Sequence, residues 1–197
     1  MYKRQEAQTG LFGELFVMRK LLGTGACAPE RILSAWHGPS GANQDYSSMN
    51  RAIEVKTTTA NDAARLSIAN ELQLDEGNLQ DLFLFQLALD RKDGAGETLP
   101  QLVLYLIAAL GESLHDEFVD RLILAGYHKM HEHKYDGRGY FFRFSRVYRV
   151  AGLFPRIKQG ELRSGVSDVR YTVDVSNIAS AAHDIGDFAV EIFSGQE

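Results

Sequence analysis

A single cysteine, Cys27, is all the thiol this 197-residue chain carries. One thiol excludes an internal disulfide and a thiolate zinc cage, and it leaves nothing to resolve an oxidation cycle, so a reducing, cytoplasmic setting is expected. With no histidine near it in sequence, Cys27 reads as a small buried hydrophobe. No stretch reaches the roughly 18 apolar residues of a membrane span. Met1-Tyr2-Lys3-Arg4-Gln5 leads straight into a helical pattern, so neither secretion nor membrane insertion is expected. Gly-rich phosphate loops and Gly-x-Ser-x-Gly elbows are missing, which leaves nucleotide hydrolysis and serine-hydrolase chemistry without a foothold. Positive charge is also short: the net charge is −5, whereas domains that hold nucleic acid by bulk attraction are usually basic.

What is present has the make-up of an ordinary globular domain. Apolar residues are 45% and charged residues 24% of the chain, which supports a real core and argues against disorder. Length gives no reason to divide it, so a single domain over 1–197 is expected. Leu11, Leu15, Met18 and Leu22 recur at helical spacing ahead of Gly23 and Gly25, predicting a helix over 8–22. Gly38, Pro39 and Gly41 mark a loop. Two segments of strand character follow, 44–48 and 52–59, joined at Met49-Asn50 as a β-hairpin. A third strand is read at 65–69, and the nearly unbroken apolar run at 81–89 suits a central strand buried on both faces. Thr98 ahead of Leu99-Pro100 caps a helix running to Leu110. A further helix over 113–125, strands at 140–150 and 166–175, and a last helix over 180–193 complete the reading. That order predicts an α/β (α+β) domain with a mixed β-sheet flanked by helices.

The hairpin carries the most informative chemistry. If Met49-Asn50 is a two-residue turn, Ser48 faces Arg51 and Asp45 faces Glu54, with Cβ atoms about 4.5–5.5 Å apart. Period-two alternation adds Asn43 and Lys56 to that face and sends Tyr46, Ile53 and Val55 to the core side. Like charges opposed in a sheet are destabilising, so a cation is the natural reason for keeping both. Carboxylate oxygens favour Mg²⁺ (or Mn²⁺). Such an ion acidifies bound water and stabilises a pentavalent phosphate, and Lys56 beside it can orient the water or offset developing charge. That chemistry suits phosphodiester hydrolysis. An acid two before a lysine recurs at Glu54, Asp90 and Glu132, so the tripeptide alone says little; a turn brings a second acid only to Glu54, since Asp81 and Asp90 lie about 30 Å apart along one strand. A surface hairpin in which Lys56 merely pairs with either carboxylate stays open, and Met-Asn is not the favoured Asn-Gly turn. Glu14 sits beside the apolar stripe of the first helix, and Gly10 and Gly13 would let that helix approach the hairpin. Glu14 equally fits a surface residue that favours the helix start electrostatically.

Basic charge is concentrated in one stretch. Nine Lys or Arg stand against three acids between Lys129 and Arg163. In the strand at 140–150, Tyr140, Phe142, Phe144 and Tyr148 are expected on one face and Arg143, Ser145 and Arg149 on the other. Arg143 and Arg149 are then candidate contacts for DNA phosphates, with a solvated edge as the alternative. His128, His131 and His133 suggest zinc, but no regular element gathers all three and no cysteine joins them, so solvated loop histidines are the better reading.

Gly10-Leu-Phe-Gly-Glu14-Leu, Trp36-His-Gly-Pro39 with Asp45-Tyr46, Ile53-Glu-Val-Lys-Thr-Thr58 and Glu71-Leu-Gln73-Leu74 together resemble the PD-(D/E)XK nuclease superfamily. The likeness is nearest to a bacterial group of PD-(D/E)XK motif proteins associated with phage-defence gene clusters. It extends through Phe154-Pro-Arg-Ile157 and Val166-Ser-Asp-Val-Arg-Tyr171, so it covers most of the chain. The resemblance implies a restriction-endonuclease-like αβββαβ core, with Asp45, Glu54 and Val55 as the metal set and Lys56 as catalytic lysine. Glu14 matches the first-helix glutamate. Gln73 stands where some members place a glutamine near the site, although an ordinary polar residue at a helix start fits as well. Gln44-Asp45 replaces the usual Pro-Asp, and relatives carry a longer N-terminal region. The implied function is an Mg²⁺-dependent DNA endonuclease, a subunit of a restriction or phage-defence system with other defence proteins as partners, a homodimer being open. The alternative is a catalytically silent module that keeps the nuclease fold for DNA binding or assembly.

Overall fold

Helix α1 (Gln5–Gly23) turns Leu11, Leu15 and Met18 inward as its spacing predicts, and Phe12, Phe16, Val17 and Leu21 with them. The buried stripe is wider than the sequence pattern suggested because α1 is covered by neighbours on more than one side. The computed structural model describes residues 5–178 and Phe193; the helix expected over 180–193 otherwise lies outside the described residues. Helix α2 (Pro29–Ala35), not foreseen, starts on a proline that needs no helical N–H and leads into the buried Trp36.

The strands are β1 (Tyr46–Ser48), β2 (Arg51–Thr58), β3 (Arg65–Ile68), β4 (Asp81–Asp93), β5 (Glu97–Thr98), β6 (Arg138–Arg149) and β7 (Tyr171–Asp174). Helices α3 (Leu99–Leu110) and α4 (His115–Leu124) lie between β5 and β6. A five-stranded sheet has the order β1-β2-β4-β6-β5. Its β2 and β4 run parallel and its other pairs are antiparallel, so the sheet is mixed as expected. The third expected strand is real but pairs with β7 in a separate two-stranded sheet. Where the αβββαβ pattern calls for a helix before the next strand, the chain supplies one 3-10 turn, Glu71–Leu74, whose Leu72 and Gln73 N–H groups donate to the Asn70 side chain.

Two apolar clusters sandwich the sheet. Ile53, Val55, Phe83, Phe85 and Leu87 face the helices, while Ala52, Leu82, Leu84 and Tyr148 face Leu66, Ile68 and Val173 of the small sheet. Strand β4 is therefore buried on both faces, as its apolar run required. Each large side chain withdrawn in this way contributes about 1.5–3 kcal/mol.

Strand β6 departs from the expected alternation. Ala88 pairs with Phe144 and Leu89 with Phe142, so Arg143 is the extra residue of a bulge. Tyr140 and Phe142 consequently share the face of Leu89, while Phe144 and Tyr148 share that of Ala88 and Leu84. No helix among the described residues is long and apolar enough to cross a membrane.

Candidate active site

The hairpin adopts the expected register, with Tyr46 opposite Ile53, Ser47 opposite Ala52 and Ser48 opposite Arg51. The turn is closed by Met49 at φ 57°, a left-handed conformation that an exposed turn residue can adopt at modest cost. Asp45 sits one step before β1 and is fixed by its backbone and its side chain together. Its carbonyl accepts the N–H groups of His37 (2.7 Å) and Gly38 (3.1 Å), and its Oδ2 accepts the Val55 N–H at 2.8 Å. Asn43, expected on the same face, is exposed in the loop ahead of the strand.

Alternation along β2 sends Ile53 and Val55 into the helix-side core and Glu54 and Lys56 to the opposite face. Glu54 is only 2% exposed. Its Oε1 lies 2.8 Å from Lys56 Nζ, and its Oε2 is buried with no hydrogen-bond partner. Burial first, then the charge of Asp45, pushes the Glu54 carboxyl well above the usual carboxylate range; Lys56 opposes the shift and Glu14 adds to it. Lys56 also donates to Gln73 Oε1 at 2.7 Å, and that oxygen accepts the Ala69 N–H as well. Gln44, in place of the usual proline, donates from Nε2 to the Leu72 carbonyl at 2.8 Å. The substitution thus ties the hairpin to the turn that presents Gln73.

Glu14 reaches the same place from α1. A Cβ at Gly13 would lie 1.7 Å from Thr57 Oγ1, so the helix can rest on β2 there only because that position has no side chain. Gly10 makes no such approach, contrary to expectation, since nothing lies within 4 Å of its would-be Cβ. Trp36 Nε1–H donates to Glu14 Oε2 at 2.8 Å, and the Tyr46 hydroxyl donates to the Glu14 carbonyl at 2.7 Å. A Cβ at Gly38 would stand 2.3 Å from Glu14 Oε2 and 3.1 Å from Asp45 Oδ1. The Trp36-His-Gly-Pro39 segment therefore acts as a clasp, bonding one acid through Trp36 and making room for both at Gly38. Arg121 of α4 secures it by donating to the Trp36 carbonyl at 2.6 Å. The roles of Trp36 and Gly38 escaped the sequence reading, although both lie in a motif that carried the resemblance.

Five sequence candidates, Glu14, Asp45, Glu54, Lys56 and Gln73, are thus drawn into one linked set. Val55 joins through its main chain only, because its side chain is packed in the core. Among the described residues no group of three or more His, Cys, Asp or Glu side chains stands ready to hold a metal ion. Asp45, Glu54 and Glu14 each have an oxygen engaged by a protein donor. The donor chemistry still fits a hard dication, since it offers carboxylate oxygens and one buried oxygen, Glu54 Oε2, that nothing else satisfies.

Arg143 and Arg149 are elsewhere and are already engaged. Arg143 donates to the Ala60 carbonyl at 2.9 Å and lies 3.5 Å from Asp90. Arg149 is ion-paired with Asp81. His128, His131 and His133 lie along the 3-10 turn Lys129–Lys134 and at its start, and form no metal-holding group among the described residues. Cys27 is half-buried.

Compared with family models, residues 4–176 match a family described as "Putative PD-(D/E)XK family member (DUF4420)". The chain belongs to the DUF4420 family. The matched span contains Glu14, Asp45, Glu54, Lys56 and Gln73, and the mixed sheet with flanking helices accords with a PD-(D/E)XK nuclease-like fold. Searches of curated proteins and of solved structures returned no match.

Proposed function

We propose that this DUF4420 protein is an Mg²⁺- or Mn²⁺-dependent DNA endonuclease that hydrolyses phosphodiester bonds at Asp45, Glu54 and Lys56. The observation that carries the reading is Glu54. It is a buried carboxylate with one oxygen on a lysine, the other unsatisfied, and a second acid close enough to raise its pKa. A fold does not keep so costly a group without use, and unmet buried polar atoms concentrate at working sites.

In this reading Asp45, Glu54 and the main chain of Val55 hold the ion. When bound, a dication supplies a more acidic attacking water and a charge that opposes the phosphate's. Lys56 is aimed by two acceptors, Glu54 Oε1 and Gln73 Oε1, and from there orients the water or stabilises developing negative charge. Glu14, steadied by Trp36, adds negative potential at the ion side. Action within a restriction or phage-defence assembly, beside other defence proteins, belongs to the same proposal and rests on the family resemblance alone; the cytoplasmic setting rests on the single cysteine and the lack of a long apolar run. The engaged state of all three acids is what favours the second reading, a silent nuclease-fold module.

The test is incubation of the purified chain with supercoiled, linear and single-stranded DNA, with and without Mg²⁺ or Mn²⁺. Metal-dependent cleavage that disappears in a folded Lys56→Ala protein is the expected result. Cleavage undiminished in Lys56→Ala, or none in wild type with either metal, overturns the proposal.

A further inference from the structure

The bulge in β6 does something that regular alternation cannot. Phe141 and Phe144, three residues apart, would point to opposite faces of an unbroken strand. With Arg143 as the extra residue, Phe141 pairs with Asp90 and Phe144 with Ala88, so both side chains rise from one face. Arg146, opposite Gln86, rises from it too. Gln86 in turn lies opposite Lys56 on β2, so the row Lys56, Gln86, Arg146 crosses the sheet on the face that carries Glu54. Two strand spacings separate Lys56 from Arg146 along that row, about 10 Å.

These aromatic rings are not core. Phe141 is 44% exposed and Phe144 partly buried. Phe144 has two cations over it, Arg146 at 4.8 Å and Arg143 at 5.9 Å from its centroid, and Phe141 has one, Lys92 at 5.4 Å. Arg143 is also neutralised by Asp90, whose side chain stands in the same area. Arg146 and Lys92, both exposed, form no ion pair among the described residues. The result is a strip of ring faces and unneutralised cations on the site's side of the sheet, all but Lys92 drawn from the most basic stretch of an acidic chain.

We propose that this strip is a stacking platform for an unpaired polynucleotide strand, with bases on Phe144 and Phe141 and phosphates at Arg146 and Lys92. Ring faces interleaved with cations are what such a strand needs, because every base has a π-face and every linkage a negative charge. A duplex suits the strip poorly, since its base faces are already stacked and it would use only the two cations. The 59–64 connection rides over the middle of the row, held by Gln86 to the Ala63 carbonyl and by Arg143 to the Ala60 carbonyl. A strand seated on the platform therefore meets that loop before it reaches Lys56. The inference rests on the nuclease reading for its purpose, though not for its chemistry.

The experiment measures fluorescence anisotropy of labelled oligo-dT, oligo-rU and a blunt duplex of equal length, in metal-free buffer, so that no cleavage intervenes. Wild type is compared with Phe144→Ala and Arg146→Ala, each first shown to melt as wild type; Phe144→Leu or Arg146→Gln replaces the corresponding alanine variant if it does not. Wild type is expected to prefer a single strand, dT or rU telling which sugar is taken. Phe144→Ala should weaken that binding about tenfold. Arg146→Ala should weaken it and lower the salt slope by about 0.7, whereas Phe144→Ala should leave duplex binding unchanged. No single-strand binding by wild type, or binding indifferent to both substitutions, overturns the platform. If wild type cleaves nothing yet binds as described, the nuclease reading fails and the platform stands; cleavage with indifferent binding has the converse meaning.

Discussion

Glu54 and Asp81 are acids on neighbouring strands, 2% and 3% exposed, and they are met by the fold in different ways. Asp81 has a guanidinium on each oxygen, Arg51 on Oδ2 at 3.1 Å and Arg149 on Oδ1. Glu54 has one lysine, which it shares with Gln73, one oxygen without a donor, and two acids acting on it. Complete pairing is how a scaffold retains a buried charge. Incomplete pairing beside further negative charge points instead to a ligand that the folded chain does not itself supply.

The largest effects should fall on activity and only around the deficient acid. Lys56→Ala and Asp45→Asn are expected to lower metal-dependent cleavage about 10²–10⁴-fold per folded molecule. Asp81→Asn should leave the rate per folded molecule alone. Stability should show the reverse order. In urea titrations Asp81→Asn is expected to cost about 2 kcal/mol, the lower end for a buried pair because Arg149 is well exposed. Metal-free Glu54→Gln should stay within about 1 kcal/mol of wild type, on the stabilising side.

The sign of the pH dependence sharpens this contrast. The folded pKa of Glu54 is raised, so any stabilisation from it is complete below the usual carboxylate range and is lost as pH rises through the raised value. The advantage of Glu54→Gln over wild type should therefore grow from acid to neutral pH, as paired melts would record.

Two glycines on one helix give a smaller contrast. Gly13→Ala must push against Thr57 and should cost about 1–3 kcal/mol, whereas Gly10→Ala, with open space around it, should gain about 0.5–1 kcal/mol. The smallest effect concerns Glu71, which accepts the Val169 N–H. Backbone hydrogen bonds, its own N–H first and then that of Val169, hold its carboxyl below the usual range. Its contribution is present above that range and lost as pH falls through the lowered value, so the stability gap to Glu71→Gln should close in acid.

The hairpin was legible because its causes are local. A two-residue turn and period-two alternation are enough to set Asp45, Glu54 and Lys56 together. The partners of those residues were not legible, because Trp36 meets Glu14 and Gln73 meets Lys56 through packing that no spacing encodes. Helix α2 is too short to show a period, and the crossover between β2 and β4 contains no α-helix to find. In β6 the alternation was read correctly for an ideal strand, but the bulge at Arg143 is decided by pairing with β4, so Phe144 and Tyr148 parted from Tyr140 and Phe142. Arg143 and Arg149 read as free cations for the same reason: their acids, Asp90 and Asp81, come from the neighbouring strand.

Isothermal titration of Mn²⁺ into wild type and Asp45→Asn at neutral pH bears most directly on Glu54's missing partner. The account expects one saturable site in wild type, lost or greatly weakened in the variant. Equal heats from the two proteins, or no binding to wild type, would contradict it.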